Sequence, residues 1–300
     1  IIMCMIFLTY LSAIFNANDM SLLTLLPLSY VVLKYTNNLK YCAFTFIMQN
    51  IASNLGGMLV PIGNPQNLYI YSFYHLSLWE FLKIMALPTL FALILIVAVC
   101  MFVKREPLEF KDEYSEQVDK KVLIVFLILF VVVLLAVFRV IPWWISLIIV
   151  SSVALAVQPK AYLGVDYTIP FTFIIFFIFA GNIARIPAIT NFLVSVIDKH
   201  VFLTAYLGCQ VISNVPTTIL LSKFTNNYAE LLVSVNVASL GIIFSSLSGI
   251  IALKEYIKVA KKENFDKKRG AWYYIGMDTL FNIVGAIILI PLSYFTIGVI

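Results

Sequence analysis

The stretch Ser53-Asn54-Leu55-Gly56-Gly57-Met58-Leu59-Val60-Pro61-Ile62-Gly63-Asn64-Pro65-Gln66-Asn67 decides how the rest of the chain is read. Three glycines, two prolines and four amides (Asn54, Asn64, Gln66, Asn67) sit inside a run from Tyr41 to Tyr74 that has no charged residue. In hydrocarbon every backbone polar group needs a partner. A helix broken by Gly-Asn-Pro therefore survives only where protein or a wet cavity supplies partners. Such a break offers N–H groups, carbonyls and a half-helix dipole to a solute near mid-membrane.

Composition sets the solvent. The 300 residues are 62% hydrophobic and 12% charged, with a mean hydropathy of +1.00, which excludes a soluble domain. About 20 apolar residues cross a bilayer core of about 30 Å, and suitable runs occur at 84–103, 122–138, 141–157, 168–184 and 272–298. They lack the alternation of outer-membrane strands, so the class is an all-α polytopic membrane protein. The net charge of +5 lies at helix ends and in short loops. That is how the positive-inside rule works, and it gives no reason to invoke nucleic acid. Cys4, Cys42, Cys100 and Cys209 form no Cys-x-x-Cys pair, which points to neither a disulfide framework nor a zinc site. Trp79, Trp143, Trp144 and Trp272 flank spans as an interfacial belt, and His75 and His200 fall in turns.

Residues 1–35 read as two short apolar arms meeting at Asn16-Ala17-Asn18-Asp19, a re-entrant hairpin. The broken helix 41–74 and a span at 84–103 follow and complete a first repeat, 1–104. A hydrophilic connector, 105–120, leads to spans at 122–138, 141–157 and 168–190. A second hairpin, 200–226, has Ser213-Asn214-Val215-Pro216-Thr217-Thr218 at its tip. A second broken helix, 228–253, a basic loop from Lys254 to Arg269 and a last span, 272–298, close the second repeat, 121–300. Hairpin, broken helix, span thus occurs twice. The three spans before the second hairpin predict an equivalent lead-in before Ile1, roughly 80 residues, if the repeats are of similar size. With the loops 104–121 and 254–269 cytoplasmic, only Lys83, Arg139, Arg185, Lys199 and Lys223 fall elsewhere. The hairpins then enter from opposite sides, as an inverted-topology repeat requires, and the C-terminus lies outside.

Asp19 is the sharpest candidate, because a carboxylate at a hairpin tip is costly in a membrane and marks a cation, proton or substrate path. The bland reading is a tip that reaches water or pairs with a base. Asn18 and Asn214 are the matching tip amides, and each also suits an N-cap. Ser245, Ser246 and Ser248 are read equally as ligand contacts and as helix-packing serines. Arg185 fits anion neutralisation less well than snorkelling to the interface. Asp278 reads as a helix-terminal salt bridge in preference to a buried charge.

Gly57-Met58-Leu59-Val60-Pro61-Ile62-Gly63-Asn64-Pro65-Gln66-Asn67, Ser213-Asn214-Val215-Pro216, Asn18-Asp19 followed by Pro27, and Gly181-Asn182 together resemble the ion transporter superfamily. The likeness is specifically to the citrate transporter-like domain shared by divalent anion:sodium symporters and ArsB/NhaD-type permeases. The resemblance implies an elevator-type carrier with a dimeric scaffold, in which two hairpin tips and two broken helices enclose one substrate site and flanking cation sites. It implies substrate contacts from Asn18, Asn64, Pro65, Asn67, Ser213, Asn214, Val215, Pro216 and Thr217. It assigns ion coupling to Asn18, Asp19, Gly57, Gly63, Asn214, Ser245, Ser246 and Ser248, with Na+ at Asn18, Asp19, Asn64 and Asn214. No cofactor is expected beyond Na+ or H+ as coupling ion; the partners are a small anionic solute, that cation, membrane lipid and a second copy of the chain, in a bacterial-type inner membrane. The family's dicarboxylate carriers resemble Ser-Asn-Thr at both tips, whereas this chain has Ala17-Asn18-Asp19 and Ser213-Asn214-Val215. The acidic first tip is closer to the arsenite and sodium-proton branch. The expected activity is secondary transport of a carboxylate or oxyanion. A sodium-proton antiporter or arsenite efflux permease is the near rival, and an intramembrane enzyme or a channel the remote ones.

Overall fold

The computed structural model describes residues 1–102, 120–164, 167–197 and 200–298. Among these the chain forms fourteen α-helices and short 3-10 turns, with no strand. Helices that satisfy their own backbone are what a polytopic protein in hydrocarbon needs. The connector expected at 105–120 lies outside the described residues apart from Lys120, which begins a helix. Two compact units divide the chain: 1–111 with 176–300, and 112–175.

The larger unit opens with α1 (Ile2–Phe15) and α2 (Asn18–Tyr35), followed by α3 (Cys42–Gly56), α4 (Pro65–Phe73) and α5 (Leu78–Met101). The smaller unit contains α6 (Lys120–Val137), α7 (Trp143–Val157) and the start of α8 (Thr168–Ile183). Arg139, at φ 61°, makes the α6–α7 turn in the left-handed region. Back in the larger unit come α9 (Pro187–Ile197), α10 (Val201–Ile212), α11 (Asn214–Leu221), α12 (Tyr228–Val237), α13 (Leu247–Lys262) and α14 (Ala271–Ile297). Two short helices, a pair of helices separated by a break and a long helix thus occur in α1–α5 and again in α10–α14.

Among the described residues, α5 and α14 are each long and apolar enough to cross a membrane alone. At 1.5 Å per residue they measure about 36 and 40 Å. The α1 helix, at about 21 Å, falls short of a core of about 30 Å. Its buried face, Ile2, Ile6, Thr9, Tyr10 and Ala13, packs with α3, all of whose residues except Phe44 are buried. Gln49 Nε2 of α3 donates to Thr9 Oγ1 of α1 at 2.8 Å and Ser53 Oγ to the Asn50 carbonyl of its own helix at 2.9 Å, whereas Thr45 Oγ1 and Gln49 Oε1 are buried without a partner. Leu90, Ile94, Leu280 and Ile287 face outward on α5 and α14, as lipid-facing residues do.

Each hairpin is tied to the broken helix of the other half. At the end of α2, Lys34 Nζ meets Glu263 Oε1 beyond α13 at 2.7 Å, and the Tyr30 hydroxyl donates to the same oxygen. Beyond α11, Ser222 Oγ lies 3.0 Å from Tyr69 OH of α4, and Tyr74 OH donates to the carbonyls of Ser222 and Thr225 at 3.1 and 2.7 Å.

Two expected boundaries move. The single span at 168–190 is two helices bent by 93°, because Pro187 cannot continue a helix but suits the first turn of a new one. The second broken helix does not end at 253. It runs to Lys262, so most of the expected basic loop is helical. Ala252, Tyr256 and Val259 face inward while Lys254, Lys258, Lys261 and Lys262 are exposed, an amphipathic pattern that a high density of lysines disguises as a loop.

Candidate functional site

The first tip docks on the first break. The backbone N–H of Asn18 donates to the Gly63 carbonyl at 2.9 Å, and Asn18 Nδ2 donates to Asn54 Oδ1 at 2.9 Å. Asn18 Oδ1 accepts from the Asp19 N–H at 2.9 Å, closing the start of α2. The break itself, 57–64, folds back on itself. A Cβ on Gly57 would strike Asn64 Oδ1 and the Gly63 carbonyl, and one on Gly63 would strike the Gly57 carbonyl, so only glycine allows this approach. Asn67 Nδ2 fills the role of a missing turn, donating to the carbonyls of Gly57 and Val60 at 3.1 and 3.2 Å. Asn64 is extended, as a residue before proline must be, and Pro65 takes the first position of α4.

The second tip repeats the device with different groups. Asn214 Oδ1 accepts from the Val215 N–H at 2.9 Å, matching Asn18 and Asp19. Ser213 Oγ donates to the Ser245 carbonyl at 3.3 Å, tying this tip to the second break. Ser213 has φ 74° and ψ 162°, a region that belongs almost entirely to glycine, and holding it there costs about 1–3 kcal/mol. The hydroxyls of Thr217 and Thr218 return to the carbonyls of Ser213 and Asn214, both at 2.7 Å. Val215 and Pro216 are buried in the first turn of α11. In the break, Ser245 Oγ donates to the Ser239 carbonyl at 3.2 Å, Ser246 Oγ caps α13 through the Gly249 N–H, and Ser246 Oγ and Ser248 Oγ lie 2.8 Å apart.

Two amides that the sequence does not single out as ligands, Asn54 of the first break and Asn236, join the halves. Asn54 Oδ1 accepts from both Asn18 Nδ2 and Ser248 Oγ, each at 2.9 Å. Asn236 Oδ1 accepts from Asn64 Nδ2 at 2.8 Å, and Asn236 Nδ2 donates to Asn67 Oδ1 at 2.6 Å. Gln210 of α10 is likewise silent in the sequence; it holds the second break through the Ala238 carbonyl at 2.9 Å and the Ile242 N–H at 3.0 Å. Asn54 and Asn236 sit at matching places near the ends of α3 and α12, and that placement is the one signal of their role that the sequence offers.

The structure thus brings Asn18, Asn64, Asn67 and Ser248 into one hydrogen-bonded cluster around Asn54 and Asn236. Asn18 reaches the 245–248 segment through Asn54, and Ser213 reaches it directly. No bond joins the tips themselves. Four helices, α2, α4, α11 and α13, begin at these residues. Their N-termini leave N–H groups without helical partners and carry partial positive charge, which suits an anion. The buried oxygens left without a partner are of the opposite kind: Asp19 Oδ1, Asn64 Oδ1 and Gln66 Oε1. Oxygen acceptors of this type fit a hard cation. Asn18 and Asn214 already direct one oxygen lone pair each to their own helix starts. Arg185 is exposed and takes no part. A cleft of about 220 Å³ lined by Met48, Leu95, Leu240 and Val284 has no polar side chain to hold an ion.

One expectation is overturned outside the cluster. Asp278 makes no helix-terminal salt bridge; it is buried, and neither carboxyl oxygen has a partner. Its place two turns into α14 puts it beyond the reach of the terminal lysines.

Similar proteins are found among transporters and membrane proteins. An uncharacterized transporter of Methanocaldococcus jannaschii is 32% identical over 260 residues, covering 85% of this chain and 70% of its own length. The inner membrane protein YbiR of Escherichia coli is 30% identical over 258 residues, covering 84% of this chain and 68% of its own. The citrate transporter family matches residues 1–240, which include both hairpins and the first broken helix. The chain belongs to the citrate transporter family.

Proposed function

We propose that this protein is a secondary active transporter of a small anion, a citrate-like carboxylate or an oxyanion, driven by a Na+ or H+ gradient. The observation that carries the reading is the gathering of four helix N-termini, those of α2, α4, α11 and α13, around bonded amides within a membrane protein. The dipole ends attract the anion, and the unpartnered oxygens of Asp19, Asn64 and Gln66 attract the cation. Binding each is easier when the other is present, which is the requirement for coupling. In this reading α1–α2 and α10–α11 are re-entrant hairpins of an inverted repeat, the two repeats are 1–104 and 121–300, and the site moves past a dimeric scaffold in the inner membrane by an elevator motion. Full-length protein in liposomes is expected to accumulate radiolabelled citrate only under an imposed Na+ or H+ gradient. Asp19→Asn is expected to uncouple uptake from that gradient without loss of fold.

Asp19 also favours a second reading. A carboxyl with a free oxygen at the tip suits cation exchange without an organic anion, as in a sodium-proton antiporter or an arsenite efflux permease. Proton flux in the absence of citrate, or arsenite-dependent flux, decides for it.

A further inference from the structure

Asp278 has no part in the site described above, yet it is the most isolated acid among the described residues. It is 1% exposed, both of its oxygens lack a partner, and it sits on α14 between Tyr274 and Asn282. Asn282 Nδ2 donates one N–H to the Asp278 backbone carbonyl at 2.8 Å, and its side chain also adjoins the carboxyl. The Asn50 side chain of α3 adjoins the carboxyl. The titratable groups around it are neutral: the buried hydroxyls of Tyr274 and Tyr256 and the buried thiol of Cys42. Cys100 lies near the end of α5. The lysines of α13 are exposed, Glu255 pairs with Lys258 at 3.3 Å, and the Arg269 carbonyl binds Tyr256 OH. Glu230 of α12 neighbours Phe202, whose ring packs on Tyr294, about 24 Å along α14 from Asp278.

A buried carboxylate with no cationic partner is strongly disfavoured, and taking up a proton removes the charge. Sodium is a poorer fit, because a hard cation collects a shell of several oxygens. Here Asn50 Oδ1 is already engaged by Asn54 Nδ2 at 3.1 Å. We propose that Asp278 is a proton-binding site, linked through Asn50 and Asn54 to the tip residue Asn18 and to Ser248. From Asn50 onward the hydrogen bonds run without a gap. Asn54 Nδ2 donates to the Asn50 carbonyl and to Asn50 Oδ1, and Asn54 Oδ1 accepts from Asn18 and Ser248. A carboxylate beside Asn50 only accepts, whereas a carboxylic acid also donates. Gain or loss of one proton, exchanged with water, therefore changes what Asn50 offers to Asn54. The role in coupling rests on the transporter reading; the binding of the proton does not.

Infrared difference spectroscopy of the full-length protein in lipid tests the binding step without any solute. A protonated-carboxyl stretch is expected at neutral pH that disappears on alkaline titration, is absent in Asp278→Asn, persists in Asp19→Asn and shifts its midpoint in Asn50→Ala. Asparagine mimics the neutral acid, so Asp278→Asn is expected to fold, with an unfolding temperature at neutral pH no lower than that of the parent. If the parent shows no such band, if the band survives in Asp278→Asn, or if sodium displaces it in place of alkali, the proposal fails. Citrate uptake into proteoliposomes reads the second half: the response to an imposed pH gradient is expected to be lost in Asp278→Asn. If the parent protein moves no citrate, the function proposed above fails while the spectral result still decides the fate of Asp278.

Discussion

At the scale of single residues, Ser213 and Asn236 carry distinct loads. Ser213 occupies a glycine-like backbone region while its hydroxyl holds the Ser245 carbonyl. Ser213→Gly should therefore raise the unfolding free energy by about 1 kcal/mol through relief of strain, yet weaken citrate uptake by releasing the tip. Ser213→Ala keeps the strain and loses the bond, so it should be the less stable of the two in thermal unfolding. Asn236→Ala leaves Asn67 Oδ1 and Gln66 Nε2 without their partner. At about 1–3 kcal/mol for each buried polar group stranded, the unfolding temperature in detergent should fall clearly, and replacement by Gln should recover part of the loss. The glycines, prolines and tip amides of these motifs were legible in the sequence because each breaks an apolar background. Asn54 was legible only as one amide of the first break and not as the joint to the second half, and Asn236 not at all as a joint, since an amide inside a helix does not announce its partner and Asn236 is 172 positions from Asn64.

Elements show where polarity and length mislead. The hairpin arms and the breaks were readable because amides, glycines and prolines interrupt an apolar run only at some cost, which a turn or a helix end offsets. The last turns of α13 were not, because an amphipathic helix leaving the bilayer has the composition of a loop. Those turns matter, since they carry the end of α13 to Glu263, where Lys34 and Tyr30 hold the carboxyl below its ordinary value of 4.5. An acid with a depressed value contributes its stabilisation above the ordinary value and loses it as pH falls through the folded one. The clasp should stay closed at neutral pH and open only as pH falls below the ordinary carboxylate range. Hydrogen exchange of residues 30–38 is expected to quicken on acidification in the parent and to be fast already at neutral pH in Glu263→Ala. Global unfolding should hardly change, as is usual for an exposed pair. Exchange in 30–38 that ignores both changes would refute the clasp.

For the whole molecule, the order of elements α1–α5 and α10–α14 was readable, but a sequence could not say which helices bury their polar faces against each other. Opposite entry of the two hairpins is the remaining test of that plan. In a background without native cysteines, Lys34→Cys and Lys223→Cys should react with a membrane-impermeant maleimide from opposite sides of sealed vesicles; labelling of both from one side would rule out the inverted arrangement. Asp19 and Asp278, both buried, form no ion pair with any described lysine or arginine. Each proton bound therefore leaves the core electrically neutral, and each proton released leaves a whole uncompensated charge. Membrane voltage, worth about 2.3 kcal/mol per charge per 100 mV, acts on these two acids only in the deprotonated condition, so in the proposed cycle they would make the return of the empty carrier voltage-sensitive, whereas in the loaded carrier the voltage would act on the charge of the bound anion.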